Sequence, residues 1–504
     1  MPSVNFAGLA GLGTVLLLLA AVARVTYNLY LHPLASFPGP LLHRATRLAF
    51  LCRICRGTMS FDVLAFHERY GPVVRIAPDE LAFADARAWR DVYGHRTGSA
   101  AGSEEMRKLG TFYRVRGVPP GIVAEDRENH AMLRRLMAHG FSDRSMRGQE
   151  PIIGGYVDLL VRRIGERAVD ADRKDEGTGL LCRRRLDMTA WYNWTTFDII
   201  GDLAFGEPFG SLDRAEAHPW VAALQGTVRT AVVIIVLNYL GMGWLMPLLM
   251  KYVLSSRRNH VDRTDEKLKR RMEMDVERPD LIEGLLRKKD EWHLSLERIR
   301  ANASNLIIAG SETTATLLAG ITYLLLANPD CLKRVTEEVR STFKSDDEIT
   351  LSSVSDLEYM LACLNEGLRC YPPAPLGLPR VVPRGGATIS GVVVPEGTTV
   401  AVWHWATYHM AANWTEPFAF RPERFLGDSK YAGDSLDALQ PFSVGPRNCI
   451  GKNLAYAEMR LILAKLLYNF DMELADKDVN WMDQKAYFLW DKPPLGVYFT
   501  PRKV

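Results

Sequence analysis

The most informative stretch of this chain is Phe442-Ser443-Val444-Gly445-Pro446-Arg447-Asn448-Cys449-Ile450-Gly451. Gly445 and Pro446 predict a tight loop, and apolar residues recur at helical spacing after Cys449, so the loop is expected to lead into an amphipathic helix. A cysteine at the start of a helix lies among unpaired N–H donors, at the positive end of the helix dipole. Both features lower its pKa and favour the thiolate, the form that binds metal ions. A loop that combines an aromatic residue, an arginine and a thiolate can therefore hold a haem iron axially.

The same stretch fills every fixed position of the pattern F-x-x-G-x-R-x-C-x-G. This pattern resembles the haem-ligand loop of the cytochrome P450 monooxygenases. The resemblance implies that Cys449 is the axial ligand of the iron in haem b. It also implies that Phe442 and Arg447 contact the haem, with Arg447 at a propionate. The alternative is a reactive or merely buried cysteine in an unrelated enzyme, and the other motifs of the chain disfavour it.

Length and composition are compatible with one large domain. The chain has 504 residues, 47% of them hydrophobic, and no linker or internal repeat divides it. The net charge of +3 is too small to indicate a nucleic-acid partner. The seven cysteines are an odd number without framework spacing, which indicates a reducing compartment. The pair Cys52-x-x-Cys55 is followed by Arg56 where covalent haem attachment needs histidine, so we interpret it as structural.

The N-terminal segment predicts a membrane anchor. Residues Phe6 to Ala23 are apolar or weakly polar, and the tract continues to Leu31, long enough to span a bilayer. A cleaved signal peptide is the alternative, but no basic residue precedes the run. Basic residues follow it, so the positive-inside rule leaves the main body in the cytosol. We therefore expect a single-pass protein of the endoplasmic reticulum membrane. Three N-x-S/T sequons would stay unused in that orientation, at Asn193, Asn302 and Asn413.

The resemblance covers nearly the whole chain and implies a mainly α fold with small β-sheets. This is the cytochrome P450 haem-thiolate fold behind an N-terminal transmembrane helix. We expect residues 1–31 to form the anchor, 32–59 a Pro-rich hinge and linker, and 60–504 the catalytic domain.

Local patterns predict several smaller elements. Val73–Ala77 and Leu81–Phe83 are predicted to be strands joined by a turn, as are the stretches 388–394 and 399–403. The strongly charged stretch from Ala168 to Arg185 is expected to be an exposed loop.

The second long apolar run extends from Ala231 to Met250. Its length would allow a second transmembrane helix, which is one alternative. Asn238, paired glycines and Pro247 interrupt it, however. We interpret the run as a mobile roof over the substrate pocket that dips into the bilayer and admits lipophilic substrates.

Residues Ile299 to Asn328 carry few charges and predict one long buried helix. Gly310 weakens the helix, and the hydroxyl of Thr313 can bond back to the carbonyl four residues earlier. Together they can open a groove for a small ligand. The run Ala309-Gly310-Ser311-Glu312-Thr313-Thr314 resembles the oxygen-activating segment of the P450 family. By that resemblance Thr313 steadies the dioxygen and Glu312 helps to relay protons.

Two further motifs are placed by the resemblance. Glu366 and Arg369 lie three residues apart on a predicted helix and share one face. Arg424 belongs to a P-E-R-F motif, and in the family it would join them in a buried charge cluster behind the cysteine. The role of these three residues is structural.

The resemblance also implies residues that bind the haem propionates. His130 and Arg134 lie four residues apart on one predicted helix face, and Arg380 is a third partner. His130 stands where relatives usually have tryptophan, and imidazole can still donate a hydrogen bond. A solvated basic helix face is the alternative for this helix. The residues from Ala374 to Leu378 and the turn Phe488-Leu489 would line the pocket.

The implied activity is that of a haem-thiolate monooxygenase. It would take electrons from NADPH-cytochrome P450 reductase, with cytochrome b5 as an optional second donor. It would hydroxylate or otherwise oxidise a lipophilic small molecule, and the sequence most resembles fungal microsomal members that work in secondary metabolism. Two alternatives differ in class. A haem-thiolate isomerase or dehydratase would need no reductase, and Thr313 disfavours it; a non-catalytic haem sensor or carrier would not need a Glu-Thr pair beside a pocket.

Overall fold

The computed structural model describes residues 6–96, 104–174, 181–218, 229, 231–246, 248, 255–274, 278 and 280–502. Helix Phe6–Thr26 and the π-helical turn Tyr27–Leu31 form an N-terminal rod, which has exposed apolar side chains from Leu12 onward. Within the described residues, Gly11–Leu31 is one helix long and apolar enough to cross a membrane. The bent pair Leu296–Leu326 and Pro329–Thr342 would be a second span by composition. Most side chains of the first of these two helices are buried inside the protein, so it is a core helix.

The stretch expected to be a hinge and linker packs against the globular part. The backbone N–H of Arg75 donates to the carbonyl of Pro38 at 2.8 Å. A Cβ on Gly39 would overlap the carbonyl oxygen of Arg75, so this close approach requires glycine. Two helices follow in the same stretch, Leu41–Ala45 and Arg47–Arg56.

A five-stranded sheet joins an N-terminal part of the chain, residues 73–108, to a C-terminal part, residues 380–402. Its strands, in spatial order, are Val73–Ala77, Glu80–Phe83, Thr399–Val402, Arg380–Val381 and Arg107–Lys108. The first two are antiparallel and confirm the predicted hairpin, and the third is parallel to the second. The sheet thereby fixes Arg380 and Lys108 opposite each other in adjacent strands.

Two predictions for local structure are wrong. The stretch 388–394 is a hairpin of two short strands, Ala387–Ile389 and Val392–Val394, because Ser390 and Gly391 take positive φ values of 47° and 80° and turn the chain. That geometry is typical of tight hairpin turns. The stretch 168–185, expected to be a loop, contains Val169–Lys174 paired with Leu181–Arg183. Residues 175–180 between them lie outside the described residues.

The body of the molecule is helical and is organised around Leu296–Leu326, hereafter the central helix. It packs along helix Met188–Phe205, where the hydroxyls of Tyr192 and Thr322 lie 2.7 Å apart. The predicted helix 299–328 is thus confirmed, with its ends shifted by two or three residues.

The other α-helices have the following bounds: Met59–Tyr70, Arg87–Tyr93, Gly110–Tyr113, Arg127–Ala138, Asp143–Arg167, Ser211–Arg214, Ser255–Glu273, Glu283–Arg287, Pro329–Thr342, Glu358–Cys370, His404–His409 and Lys452–Asn469. A three-stranded sheet closes the C-terminal side and consists of Phe470–Leu474, Gly496–Pro501 and Leu186–Asp187.

The predicted roof is helical over residues 231–239 and continues into the 3-10 turn Gly243–Leu245. Positions 247, 249 and 250 of the apolar run lie outside the described residues. The amide of Asn238 donates to the carbonyl of Arg114 at 2.9 Å, which ties the roof to the chain segment before helix Arg127–Ala138. The three sequon asparagines are all buried in the folded chain.

Candidate active site

A cavity of about 330 Å³ separates the central helix from residues 442–451, the cysteine loop. Thr313 lines it from the helix, and Phe442 and Cys449 line it from the loop. Within the loop, the N–H of Cys449 donates to the carbonyl of Phe442 at 2.8 Å. Gly445 has φ +76°, and a Cβ there would overlap the carbonyl oxygen of Tyr93, so only glycine fits this turn. The predicted loop and its orientation toward a pocket are therefore present.

The position of Cys449 differs from the prediction in one respect. The helix Lys452–Asn469 begins three residues later, so Cys449 lies before its first turn and not in it. The Cys449 side chain is exposed on the cavity wall, and desolvation by the surrounding protein raises the pKa of its thiol, whereas a backbone N–H of Gly451 and the charges of Arg134 and Lys452 act in the opposite direction. The helix start alone does not lower the pKa of this thiol. A bound metal ion removes the thiol proton outright, so the metal itself would supply the thiolate.

Positive side chains crowd the rim of the cavity. Arg380 is 3% exposed, and its Nη1 atom has no hydrogen-bond partner among the residues that the structure describes. Lys108 donates to the carbonyl of Val123 at 2.6 Å, and burial followed by the charges of Arg380 and Arg447 lowers its pKa well below the usual value. An orphaned guanidinium among like charges is the arrangement that an anionic group would relieve. These residues therefore fit the propionates of a haem.

His130 lies in the same environment. Burial, and then the positive charges of Arg447, Lys108, Arg134 and Arg380, lower the pKa of His130 to about 3, so its imidazole is neutral at physiological pH. A neutral imidazole keeps one N–H that can donate to an anion. This helix face is buried, which argues against the alternative of a solvated basic face for His130.

Two of the three predicted arginines of this group already have partners. Arg447 forms an ion pair with Glu105 and donates to the carbonyl of Glu125 at 2.9 Å. Arg134 donates to the carbonyl of Asn448 at 2.7 Å and also to the side-chain oxygen of Asn448. Arg134 thus holds the backbone next to Cys449.

The central helix presents two different faces at the predicted catalytic pair. Thr313 faces the cavity, and its hydroxyl donates to the carbonyl of Ala309 at 2.6 Å, the bond predicted from the sequence. Glu312 is buried, is not among the residues that line the cavity, and accepts a hydrogen bond from Lys492 at 2.7 Å. The prediction of an acid in an apolar wall missed Lys492, which is 180 residues away in sequence and belongs to no motif.

The predicted charge cluster is present and fully buried. Arg369 forms two hydrogen bonds of 2.7 Å with Glu366, and Arg424 lies 3.2 Å from the same carboxylate. Asp434, which the sequence did not indicate, forms an ion pair with Arg424.

The cluster is connected to the cysteine loop through one tyrosine. Arg369 donates to the carbonyl of Tyr408 at 2.8 Å, and the hydroxyl of Tyr408 accepts from the N–H of Gln440 at 3.0 Å, just before the loop.

The residues that line the pocket agree in part with those expected from the sequence. Ala374, Leu378 and Phe488 line the cavity, whereas Leu489 is buried outside it.

The family model and the similar proteins indicate the same family. Residues 38–499 match the family model described as Cytochrome P450. The chain is 50% identical to "Cytochrome P450 monooxygenase tpeC" of Talaromyces stipitatus, over 96% of this chain and 93% of that protein. It is 46% identical to "Cytochrome P450 monooxygenase prhB" of Penicillium brasilianum, over 96% of each. It is also 43% identical to "Averantin hydroxylase" of Dothistroma septosporum, over 98% of this chain and 91% of that protein.

Proposed function

Because the chain belongs to the cytochrome P450 family and is a haem monooxygenase, we propose that it hydroxylates a lipophilic intermediate of fungal secondary metabolism. Its electrons would come from NADPH-cytochrome P450 reductase, with cytochrome b5 as an optional second donor. The observation that carries the proposal is that Cys449 and Thr313 face the same apolar cavity from opposite sides.

Haem bound at Cys449 supplies the reductive activation of dioxygen that inserts one oxygen atom into a C–H bond. The residues of the chain hold and orient the reactants. Arg380, His130 and Lys108 would hold the propionates, and Arg447 would join them from its pair with Glu105. Arg134 would act as a positioning residue, because it fixes the backbone at Asn448.

The protein groups that move protons lie on the central helix. The Thr313 hydroxyl can hold a proton on the cavity side when it turns away from the carbonyl of Ala309, and Glu312 is the nearest acid along the helix. The cavity walls around Thr313 are largely apolar, with Ile200, Leu306 and Phe488 among the lining residues. Such walls exclude water from the reaction and favour a lipophilic substrate. The name of the Dothistroma relative, averantin hydroxylase, supports hydroxylation as the outcome.

The N-terminal rod supports a proposal for the location of the enzyme. We propose that residues 1–31 anchor the chain in the endoplasmic reticulum membrane and that the catalytic domain, residues 60–504, faces the cytosol. The exposed apolar helix within 11–31 supports the anchor, and the burial of all three sequon asparagines is compatible with a cytosolic domain.

The proposal is tested first by absorbance of the reduced protein with carbon monoxide. We expect the wild-type chain to give a thiolate-type Soret band and Cys449→Ala to lose it. Cys52→Ala is the matched control, since Cys52 is an exposed free cysteine, and it should keep the band. A thiolate-type band that persists in Cys449→Ala would contradict the axial role.

Oxygen uptake tests the reaction class. With the reductase added, NADPH-dependent oxygen consumption is expected from the wild-type chain. Product formation without NADPH would instead indicate an isomerase or dehydratase, and haem binding without any turnover would indicate a sensor or carrier.

A further inference from the structure

The acid of the central helix is held by a lysine from a distant loop. Lys492 donates to Glu312 at 2.7 Å and to the hydroxyl of Thr316 at 2.6 Å. Glu312 and Thr316 lie one helical turn apart, so both bonds are made on one face of the helix. The two side chains of the ion pair are 10% and 6% exposed, so water screens the pair little.

This face is not the one that carries Thr313. Thr313 lines the cavity, whereas Glu312 does not. A carboxylate that is bonded to an ammonium group on the far face cannot give a proton to the cavity. Glu312 must leave Lys492 before it can act as a proton carrier for the site.

The loop that holds Lys492 also reaches into the cavity. Residues 485–493, the C-terminal loop, form a tight turn closed by the N–H of Asp491 and the carbonyl of Lys485 at 3.0 Å. Phe488, at the tip, lines the cavity together with Thr313. Trp490 fixes the base, because its ring stacks on another aromatic residue and its N–H donates to the carbonyl of Pro372 at 2.7 Å. Because Phe488 and Lys492 belong to the same short loop, a ligand that displaces the tip acts on the segment that carries Lys492.

A second contact connects the same loop to Arg229, two residues before the roof in sequence. Asp491, next to Lys492, forms an ion pair of 2.8 Å with Arg229. Adjacent residues of one loop thus bind Arg229 and the acid of the central helix. The Arg229 contact is exposed and contributes little stability by itself.

We propose that the Lys492–Glu312 ion pair is a latch on proton supply and that filling of the cavity opens it through Phe488. While the latch is closed, Glu312 is a carboxylate and carries no proton. When it opens, the carboxylate takes up one proton that bulk solvent supplies through water, passes it to a water or hydroxyl on the Thr313 side that hands on a proton of its own, and is a carboxylate again. The inference rests on the proposed function, and it makes Lys492 a positioning residue.

Turnover without substrate tests the latch. The full-length haem protein is reconstituted in phospholipid vesicles with NADPH-cytochrome P450 reductase, and NADPH oxidation is measured without added substrate. We expect Lys492→Met to raise this rate about fivefold, the lower end of typical coupling between sites. Lys492→Arg should stay near the wild-type rate, as should Lys485→Met, the same change at an exposed lysine of the same loop. An unchanged rate in Lys492→Met would overturn the latch.

The double variant separates the latch from a general loosening of the fold. If Lys492 acts through Glu312, Glu312→Gln combined with Lys492→Met should show no rise over Glu312→Gln alone, because the two effects are not additive. A full rise in the double variant would overturn the assignment.

Infrared spectroscopy gives a readout that is independent of turnover. Glu458 is buried and its pKa is raised to about 8, so it already contributes a protonated-carboxyl band in the wild-type chain. A buried carboxylate without its partner takes up a proton, so Lys492→Met should show an additional band in the difference spectrum that Glu312→Gln removes. In the wild-type chain the same band should appear when the lipophilic azole clotrimazole fills the cavity. No additional band in Lys492→Met overturns the latch, and no additional band with clotrimazole overturns its opening from the cavity. A wild-type protein without a thiolate-type Soret band would instead refute the proposed function.

Discussion

At the residue scale, Thr313 combines a cavity position with a hydroxyl bonded to the carbonyl of Ala309 at 2.6 Å. We expect Thr313→Ala to keep haem bound and to raise the hydrogen peroxide released per NADPH about tenfold, because a positioned proton-handling group is lost. Thr313→Ser keeps the hydroxyl and serves as control. Peroxide yield and NADPH oxidation are measured together, and unchanged peroxide yield in Thr313→Ala would count against the oxygen-activation role.

Single residues were predictable where a local pattern places them. The hydrogen bond from the Thr313 hydroxyl to the carbonyl of Ala309 follows from helix geometry alone. The cysteine motif predicted the tight loop that contains Gly445 and Cys449. Lys108, Asp434 and Lys492 were not predictable, because each reaches its partner through tertiary packing and belongs to no motif. Lys108 becomes adjacent to Arg380 only when two strands from different parts of the chain pair.

At the element scale, helix packing depends on small residues at close contacts. A Cβ on Gly320 of the central helix would overlap the ring of Tyr371. That ring is fully buried and stacks on Trp490 with ring centroids 4.6 Å apart. The Tyr371 hydroxyl also donates to the side-chain oxygen of Gln484 at 2.7 Å, so the ring cannot move aside. We expect Gly320→Ala to lower the free energy of unfolding by about 1–3 kcal/mol, as overpacked cores do.

The matched control is Gly155→Ala in helix Asp143–Arg167, where an added Cβ meets nothing within 4 Å. There alanine should raise the free energy of unfolding by about 0.5–1 kcal/mol. Urea denaturation of both variants checks the pair. Equal effects of the two substitutions would show that the contact with Tyr371 does not limit packing.

The buried charge cluster gives a second prediction at this scale. Arg424→Met leaves Asp434 without its ion-pair partner in a site that is 1% exposed. Removing one member of a buried pair costs about 3–5 kcal/mol of unfolding free energy. Lys333→Met is the control, since Lys333 lies 4.0 Å from Glu337 on the surface, and it should cost less than about 1 kcal/mol.

Denaturation of the double variant Arg424→Met with Asp434→Leu completes this test. Replacing both partners by apolar groups should recover part of the loss. If Arg424→Met alone proves as mild as Lys333→Met, the cluster does not have the structural role that its burial indicates.

At the scale of the whole molecule, the mainly α fold with small sheets could be predicted because the motifs occur in order along the chain. The hairpin at 387–394 and the strand pair at 169–183 could not. In the first, apolar composition suggested one continuous strand, whereas a turn with positive φ divides it into a hairpin. In the second, charged composition suggested a loop, whereas its two ends pair with each other. Strand pairing depends on neighbours more than on local propensity.

The roof and the N-terminal helices together suggest a second membrane contact. Tyr239 of the roof packs against Phe50 with ring centroids 6.1 Å apart, which brings the roof beside helix Arg47–Arg56. Exposed apolar side chains occur on both parts, including Trp244 at 63% and Leu48 at 56% exposure. Such side chains bind the interface of a bilayer by burying their apolar area.

We therefore expect the chain without residues 1–31 to keep part of its affinity for phospholipid vesicles in a flotation assay. In that background, Trp244→Glu should lower the partition coefficient about tenfold, since burying one large apolar side chain contributes about 1.5–3 kcal/mol. Val479→Glu is the control, because Val479 is also exposed, at 60%, and lies in the C-terminal part of the chain. Equal losses for the two substitutions would indicate non-specific adsorption. Complete release of the truncated chain would show that residues 1–31 alone hold the enzyme on the membrane, and the substrate would then reach the roof from water.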